Sequence, residues 1–353
     1  MIKTFAIVGS AKPTLNSSSE YTKLSKSLQH FGMIETPIEE CDSLIFINYS
    51  RKSYKRYRRL GKSLKNLVLI RLEPYGVFPL QYRSSIMKKF GLILDPGKKN
   101  RTNSSSDFIG WPYKYHLNPS TPSPHDPDLN NSINNAISND FYNFQNWKKK
   151  QDKIVLIAAN KVSPTSNSNY KLRRRIANQL SVHKLDTYGP LWDASLSSKL
   201  FHRVSVGFNA LKGGYIPNLL EIYGNLHWKY PTYMGEPMDK HRIIQQYRYS
   251  LVVENSSDYC SEKLFDVVIN GSIPIYVGPK NSELNLPDGM YFSCDGSLDN
   301  LKSLLNSIRD EDISAMLAVM QNFIQSENFF RDWASDKVYE NIACQINNFW
   351  NQK

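Results

Sequence analysis

The chain of 353 residues has little cysteine and lacks a long apolar run. Its four cysteines, Cys41, Cys260, Cys294 and Cys344, stand far apart and form neither a Cys-x-x-Cys pair nor a Cys/His cluster. A disulfide framework and a zinc site are therefore not expected, whereas free thiols in a reducing compartment are. No apolar run approaches the roughly 20 residues that a membrane-spanning helix needs. The first residues, MIKTFAIVGS, carry too short an apolar stretch for a secretory signal and suit a first β-strand, so we expect a cytoplasmic protein.

Acidic residues are also few, since 32 Asp and Glu face 44 Lys and Arg, which gives a net charge of +12. Eight of the cations lie in residues 51–65, a segment without any acid, so 12 minus 8 leaves +4 for the rest of the chain. As a helix, this segment would place Tyr54, Tyr57, Leu60 and Leu64 on one face and cations on the other. Such a helix can rest on an anionic membrane, as a peripheral contact at its inner face. Basic residues interleaved with tyrosine would also suit RNA, and a solvated helix face is the third reading.

Short apolar runs alternate with amphipathic stretches along most of the chain, which predicts α/β structure with largely parallel sheets. The length favours two domains. Residues 118–146 are rich in proline and asparagine and predict a linker or long surface loop. We therefore expect one domain over residues 1–147 and a second over residues 148–353, two Rossmann-like domains that face each other across a cleft.

The most informative stretch is residues 247–279, YRYSLVVENSSDYCSEKLFDVVINGSIPIYVGP, which predicts strand, polar loop, helix, strand and Gly-Pro turn. Glu254 and Asn255 directly follow the apolar strand, at the edge where open α/β sheets bind ligands. The helix begins near Glu262 and Lys263, where free N–H groups and a lysine can hold a phosphate. An ordinary helix start capped by Ser261 would show the same pattern, so the spacing leaves both interpretations open.

This stretch resembles the donor-binding motif of the α-1,3-fucosyltransferase family, written FENSxxxDYxTEKL with an xxPVxxGP continuation. The matching positions are Glu254, Asn255, Ser256, Asp258, Tyr259, Glu262, Lys263, Leu264, Pro274, Gly278 and Pro279. Ser261 stands where Thr is usual and Val253 where Phe is usual, and the loop between Asn255 and Tyr259 is about two residues shorter. Weaker similarity lies at Tyr233-Met234-Gly235 with Asp239-Lys240, at Asp186–Gly189, and at Asp107–Ile109 with Pro112-Tyr113.

The resemblance implies a GT-B fold whose C-terminal domain binds a GDP-sugar and whose N-terminal domain holds the acceptor. It further implies an inverting transfer of fucose from GDP-fucose to a hydroxyl of an oligosaccharide or glycolipid, with neither a metal nor another cofactor required. The shortened loop and Val253 also allow a different nucleotide sugar on the same fold. An alternative from another class is a non-enzymatic binder of RNA or another polyanion, built around residues 51–65; nucleic acid is the less favoured partner.

Two cations are candidates for stabilising the diphosphate that leaves in such a reaction. Lys263 is the first. Arg173 is the second, chosen by the spacing that the resemblance implies, with Arg174 and Arg175 as competitors.

The base that accepts the proton of the acceptor hydroxyl is expected to be Glu73. It ends an apolar strand before Pro74, and its surroundings resemble the family segment that carries the presumed base. A structural ion pair between Glu73 and Arg71 would explain it equally, and Glu254 is the alternative base.

The resemblance assigns the remaining donor contacts to Glu254, Asn255, Tyr259, Ser261 and Glu262. Asn255 and Tyr259 are candidates for the phosphates or the base, and Glu262 for the ribose hydroxyls. Asn255-Ser256-Ser257 is also a glycosylation sequon, and a glycan there would block the donor loop, which favours a cytoplasmic enzyme.

Overall fold

The structure of the protein is a computed structural model, which describes residues 4–9, 20–95, 129–212, 216–223 and 229–352. These residues form two compact units. The first unit comprises residues 4–95 and 330–352, and the second comprises residues 129–329. Each contains one parallel sheet with helices on both faces, so the prediction of two Rossmann-like α/β domains is confirmed.

The first unit is built on a five-stranded parallel sheet in the order β2-β1-β3-β4-β5. Its elements up to residue 95 are β1 (Thr4–Gly9), α1 (Glu20–Gln29), β2 (Ile34–Glu35), β3 (Ser43–Ile47), α2 (Arg51–Arg59), β4 (Val68–Ile70), a 3₁₀ turn (Pro79–Tyr82), α3 (Ser84–Met87) and β5 (Leu92–Leu94). The strands are almost wholly apolar because both faces of the sheet are covered. Tyr54 and Tyr57 of α2 pack into the core on one of these faces.

The second unit contains a six-stranded parallel sheet in the order β11-β10-β9-β6-β7-β8. Its first elements are α4 (Leu129–Ser138), α5 (Phe144–Lys148), β6 (Gln151–Ile157), α6 (Tyr170–Gln179), β7 (Leu185–Tyr188), α7 (Leu196–Lys212), α8 (Leu219–Tyr223) and β8 (Tyr233–Gly235). The remainder are α9 (Lys240–Gln246), β9 (Tyr247–Val253), α10 (Glu262–Ile269), β10 (Ile273–Val277), α11 (Asn281–Leu284), β11 (Phe292–Ser293), α12 (Leu298–Ser307) and α13 (Asp310–Ile324). Gly271 follows the C-cap of α10, and its φ of 62° suits a glycine at that position.

The chain closes with α14 (Glu327–Trp333) and α15 (Ser335–Asn351). Val338, Ile342 and Ile346 of α15 are buried in one core with Phe5 and Leu24 of the first unit. The predicted second domain, residues 148–353, is therefore wrong at its end. The apolar face of α15 can be read from the sequence, but which sheet it covers is decided only by the tertiary structure.

The predicted linker over residues 118–146 is also wrong where the structure describes it. Ile133 and Ala136 lie three residues apart on α4 and are buried, and the hydroxyl of Tyr142 donates to the carbonyl oxygen of Val268 at 3.0 Å. The asparagine-rich composition conceals this helical spacing, and the segment belongs to the second unit. Residues 118–128, together with the predicted motif at Asp107–Ile109 and Pro112-Tyr113, lie outside the described residues.

Candidate functional site

A crevice is expected in the second unit between β6 and β9, because the order of strands reverses there. The chain places β7 and β8 on one side of β6, then crosses to add β9, β10 and β11 on the other. The loops that leave the carboxyl ends of β6 and β9 therefore diverge, which opens the usual ligand position of such sheets. The two loops are joined at one point, where the backbone N–H of Asn169 donates to the carbonyl oxygen of Asn255 at 3.0 Å.

Arg173, in the first turn of α6, reaches this edge of the sheet. Its side chain is held by the carbonyl oxygen of Val253, 3.1 Å from Nε, and by Oδ1 of Asn255, 2.9 Å from Nη2. The residue is 3% exposed, and burial lowers the pKa of its guanidinium. Within the part of the chain that the structure describes, Nη1 has no hydrogen-bond partner. Arg173 is thus a fixed cation with one nitrogen left for a ligand.

The two neighbouring arginines point elsewhere. Arg174 is fully buried and donates to the carbonyl oxygens of Lys161, at 2.7 Å, and Glu221, at 3.3 Å. Arg175 is exposed and donates to the carbonyl oxygen of Gly296 at 3.2 Å. The geometry therefore favours Arg173 over both competitors as the arginine of the site.

Lys263 lies in the first turn of α10, where its charge interacts with that of Arg173 on α6. Its Nζ donates to the hydroxyl of Ser261 at 2.9 Å and lies 3.6 Å from Oε1 of Glu262. Burial lowers the pKa of Lys263, but the carboxylates of Glu262 and Glu254 outweigh that effect, so its pKa is raised overall. A charged lysine and a buried arginine thus lie next to the N-terminus of α10, an arrangement that suits an anion.

The side chain of Glu254 faces a different group from the one predicted. It is fully buried, and its two carboxylate oxygens accept hydrogen bonds from the backbone N–H of Ser261, at 2.8 Å, and from the Ser261 hydroxyl, at 2.7 Å. Burial raises the pKa of Glu254. A base must reach the hydroxyl that it deprotonates, and this carboxylate is turned into its own loop. Glu254 therefore positions Ser261 and the start of α10.

Ser261 is likewise a structural cap. Its hydroxyl accepts from the backbone N–H of Lys263 at 3.4 Å while it donates to Glu254. Tyr259 is 6% exposed and belongs to the packing beneath the loop. Asn255 and Glu262 are half-buried, so of the five residues predicted to contact the donor besides the two cations, these two present surface at the edge.

Several supporting residues are absent from the sequence prediction. The guanidinium carbon of Arg173 lies 5.0 Å from the ring centre of Tyr170, and the hydroxyl of Tyr276 lies 3.4 Å from Glu254. Lys240, part of the weaker family match, forms a 2.5 Å ion pair with the buried Asp266 and so ties α9 to α10. In the sequence, the contact between Arg173 and Tyr170 is indicated only by the Asn169-Tyr170 pair that precedes the arginines, and such a pair is not specific.

Glu73, the predicted base, lies in the first unit after β4. The side-chain oxygen of Asn48 accepts from the backbone N–H groups of Leu72, at 2.9 Å, and Glu73, at 3.1 Å. The carbonyl oxygen of Glu73 accepts from the side chains of Gln81 and Tyr82. The backbone at Glu73 is thereby fixed at the carboxyl edge of its sheet, and its side chain is half-buried.

The alternative explanation of Glu73, an ion pair with Arg71, does not hold. The guanidinium of Arg71 forms a buried ion pair with Asp95 at 2.5 Å and lies 4.2 Å from the ring centre of Tyr82. Arg71 therefore has its carboxylate partner directly after β5 rather than at residue 73.

Among the described residues, no three His, Cys, Asp or Glu side chains lie close enough together to hold a metal ion. In the same residues, none of the helices has the length and hydropathy that a membrane span requires.

The two parallel sheets and their order along the chain define a GT-B fold. The Anabaena protein HepE, determined with UDP and glucose, aligns over 99% of this chain and 100% of its own at a TM-score of 0.51 and 9% identity. A UDP-forming α,α-trehalose-phosphate synthase from Burkholderia xenovorans aligns over 99% and 100% at a TM-score of 0.52 and 9% identity. An α1,3-fucosyltransferase aligns over 99% of this chain and 89% of its own at a TM-score of 0.50 and 13% identity.

In sequence, the chain is similar to a fucosyltransferase-like protein of Arabidopsis thaliana, with 42% identity over 66 residues. That match spans 18% of this chain and 12% of the plant protein. No family model matches the chain. The resemblance to fucosyltransferases inferred from the motif is thus supported both by a short sequence match and by the fold.

Proposed function

We propose that the protein is a glycosyltransferase whose second unit binds a nucleoside-diphosphate sugar at the edge formed by Arg173, Asn255 and Lys263. The observation that carries the proposal is the pairing of a fixed buried arginine with a charged lysine at the N-terminus of α10. A diphosphate is the ligand that two cations beside a helix N-terminus favour together. The likeness in fold to an α1,3-fucosyltransferase and the fucosyltransferase motif support the same assignment.

The reaction we propose is an inverting transfer from GDP-fucose to a glycan hydroxyl. The acceptor oxygen forms a bond to the anomeric carbon as the bond from that carbon to the diphosphate oxygen breaks. The diphosphate leaves with the electron pair, and Arg173 and Lys263 stabilise its growing negative charge. The acceptor proton passes to the carboxylate of Glu73. In the proposed reaction, Arg173 and Lys263 rather than a metal ion stabilise the leaving diphosphate.

A panel of nucleotides in a thermal-shift assay tests the proposed donor. GDP is expected to raise the melting temperature, because a ligand that binds only the folded state stabilises it, while UDP and CMP leave it unchanged. The Lys263→Ala variant should lose most of the shift with GDP, whereas Lys302→Ala, an exposed lysine on α12, should keep it.

A rise in melting temperature with UDP instead of GDP would favour the alternative donor. The short loop and the likeness in fold to HepE and to the UDP-forming synthase point to that donor. The absence of a response to any nucleotide, together with salt-sensitive RNA binding, would reject the enzyme in favour of a polyanion binder.

We also propose that α2 contacts an anionic membrane surface. Arg51, Lys52, Lys55, Arg58 and Arg59 are exposed, and in the described residues their side chains form neither ion pairs nor hydrogen bonds. Arg51 and Lys52 in the first turn oppose the helix dipole, while Arg58 and Arg59 in the last turn complement it, so an external anion would be most favourable near the N-terminus of α2.

The tyrosines that could have stacked on RNA bases are turned inward, since Tyr54 is 7% and Tyr57 0% exposed. This leaves α2 with cations alone on its outer face, which suits a plane of lipid phosphates better than single-stranded RNA.

The triple variant Arg51→Gln, Lys55→Gln, Arg59→Gln is expected to lower binding to phosphatidylglycerol vesicles at low salt by about a hundredfold, at about 1 kcal/mol per cation. Flotation with the vesicles measures this binding. The triple variant Lys149→Gln, Lys184→Gln, Lys302→Gln removes the same charge from exposed positions of the second unit and is the control. Equal losses in both variants would show that net charge alone is responsible.

A further inference from the structure

Helix α7 buries Lys199 and Arg203 and exposes large apolar residues. Five apolar side chains form a single stripe on its outer face: Leu200 (37% exposed), Phe201 (77%), Val204 (56%), Phe208 (64%) and Leu211 (58%). At 100° per residue they span about 100° of the helix, the width of the stripe that normally faces a core. Leu219 and Leu220 of the neighbouring α8 are 61% and 74% exposed and extend the apolar surface. We call these seven residues the α7 face.

The opposite side of α7 carries the charges. Lys199 is 6% exposed and donates to the carbonyl oxygen of Trp192 at 2.8 Å, and Arg203 is 3% exposed and donates to the carbonyl oxygen of Ile222. Both side chains are held by carbonyl groups inside the unit. The helix therefore cannot rotate to bury its apolar stripe without breaking these hydrogen bonds, one of which ties it to α8. The outward orientation of the stripe is therefore built into the packing.

The field behind the α7 face is positive. Arg203 and the adjacent Arg174 are buried on carbonyl oxygens, and neither has a carboxylate partner among the described residues. The seventeen residues of α7 include no acid, and the one acid of α8, Glu221, is mostly buried with its carboxylate 4.0 Å from Lys171. An apolar surface thus covers cations that are only partly compensated, since Glu221 attracts Arg174 while Arg203 has no carboxylate partner in the described residues.

We infer that the α7 face inserts into the interfacial region of an anionic bilayer. Apolar patches of this extent on soluble proteins mark interaction sites, and helices with Phe and Leu on one face and cations on the other lie in the headgroup region with the apolar face buried. A second copy of the chain would bring the buried Arg203 and Arg174 of the two copies towards each other, whereas anionic headgroups would interact favourably with these cations. This inference rests on the α7 face alone and does not depend on the donor or the reaction.

Vesicle flotation at two salt concentrations tests the insertion. Burial of apolar area is not screened by salt, whereas binding through surface cations is, because at about 1 M salt the screening length is roughly 3 Å. The full chain is therefore expected to keep substantial binding to phosphatidylglycerol-containing vesicles at about 1 M salt. The triple variant Phe201→Gln, Phe208→Gln, Leu211→Gln is expected to lose that binding by at least about a hundredfold, since each side chain withdraws a large apolar area from water.

The matched control is Phe31→Gln, Ile34→Gln, Val182→Gln, which removes three exposed apolar side chains at other places and should bind as the unchanged chain does. All substituted positions are exposed, so melting temperatures should change little, and circular dichroism verifies that each variant is folded.

Three results would overturn the inference. The first is complete loss of vesicle binding by the unchanged chain at high salt, and the second is equal losses in the two triple variants. The third is a concentration-dependent dimer, seen by light scattering without lipid, that the α7 variant alone abolishes; this would assign the face to a second copy.

Discussion

Arg173→Ala is expected to lower kcat/KM for sugar transfer by about a thousandfold, the size of effect seen when one preorganised donor to a developing oxyanion is removed. Arg173 is fixed by Val253 and Asn255 before any ligand arrives, so its charge is aimed without reorganisation. Its loss also leaves Oδ1 of Asn255 without this partner. Steady-state kinetics with a nucleotide sugar and an acceptor glycan measures the effect.

The neighbouring arginine supplies the control. Arg175 lies on the same helix, is exposed and bonds only the carbonyl oxygen of Gly296 in the described residues, so Arg175→Ala should stay within about twofold of the unchanged chain. Arg173→Lys should recover only part of the activity, because a lysine cannot contact Val253, Asn255 and a phosphate in the fork geometry of a guanidinium. If Arg175→Ala lost as much activity as Arg173→Ala, the assignment of Arg173 would be wrong.

Glu73→Gln is expected to lower kcat by between about a hundredfold and ten-thousandfold, the range of general base catalysis, while the affinity for GDP stays unchanged. The amide keeps the size of the side chain but cannot accept the acceptor proton. Glu73 belongs to the first unit, whereas Arg173, Asn255 and Lys263 belong to the second. Transfer kinetics and calorimetric titration with GDP separate the two quantities.

Glu40 of the same unit is exposed, and Glu40→Gln serves as the control with the same change of charge. A loss of GDP affinity in Glu73→Gln would contradict the role of a base. Full activity in Glu73→Gln would also contradict it, and would require another proton acceptor. Glu254 is poorly placed for that role because its carboxylate is bonded to Ser261 and fully buried.

The site could be located from sequence but its internal arrangement could not. The apolar strand before Glu254 and the capped helix start at Ser261 placed the loop at the carboxyl edge of a sheet, and the structure agrees. The carboxylate of Glu254 was expected to face the ligand, yet it faces Ser261. Both orientations satisfy the same local pattern, and the choice between them depends on packing against Tyr276 on the neighbouring strand.

For the charged helices, too, the sequence predicted some features and only the tertiary structure decided the others. The sequence placed eight cations in residues 51–65 and predicted tyrosines on the other face, and α2 buries Tyr54 and Tyr57 as expected. Helix α7 was not predicted. Its Lys199 and Arg203 face inward and its large apolar residues face outward. The apolar stripe has the same spacing as that of an ordinary core helix, so the sequence does not indicate which side of the helix faces the protein.

By itself the sequence determined the alternation of strands and helices, the capped start of α10 and the excess of cations on α2, because each depends on neighbours within a few residues. Only the tertiary structure decided which of three consecutive arginines meets Asn255, which carboxylate is buried, and that α15 returns to the first sheet. These outcomes depend on contacts between residues that are far apart in the chain. Arg173 and Asn255 are 82 positions apart, and they meet because parallel strands bring their carboxyl ends to one edge.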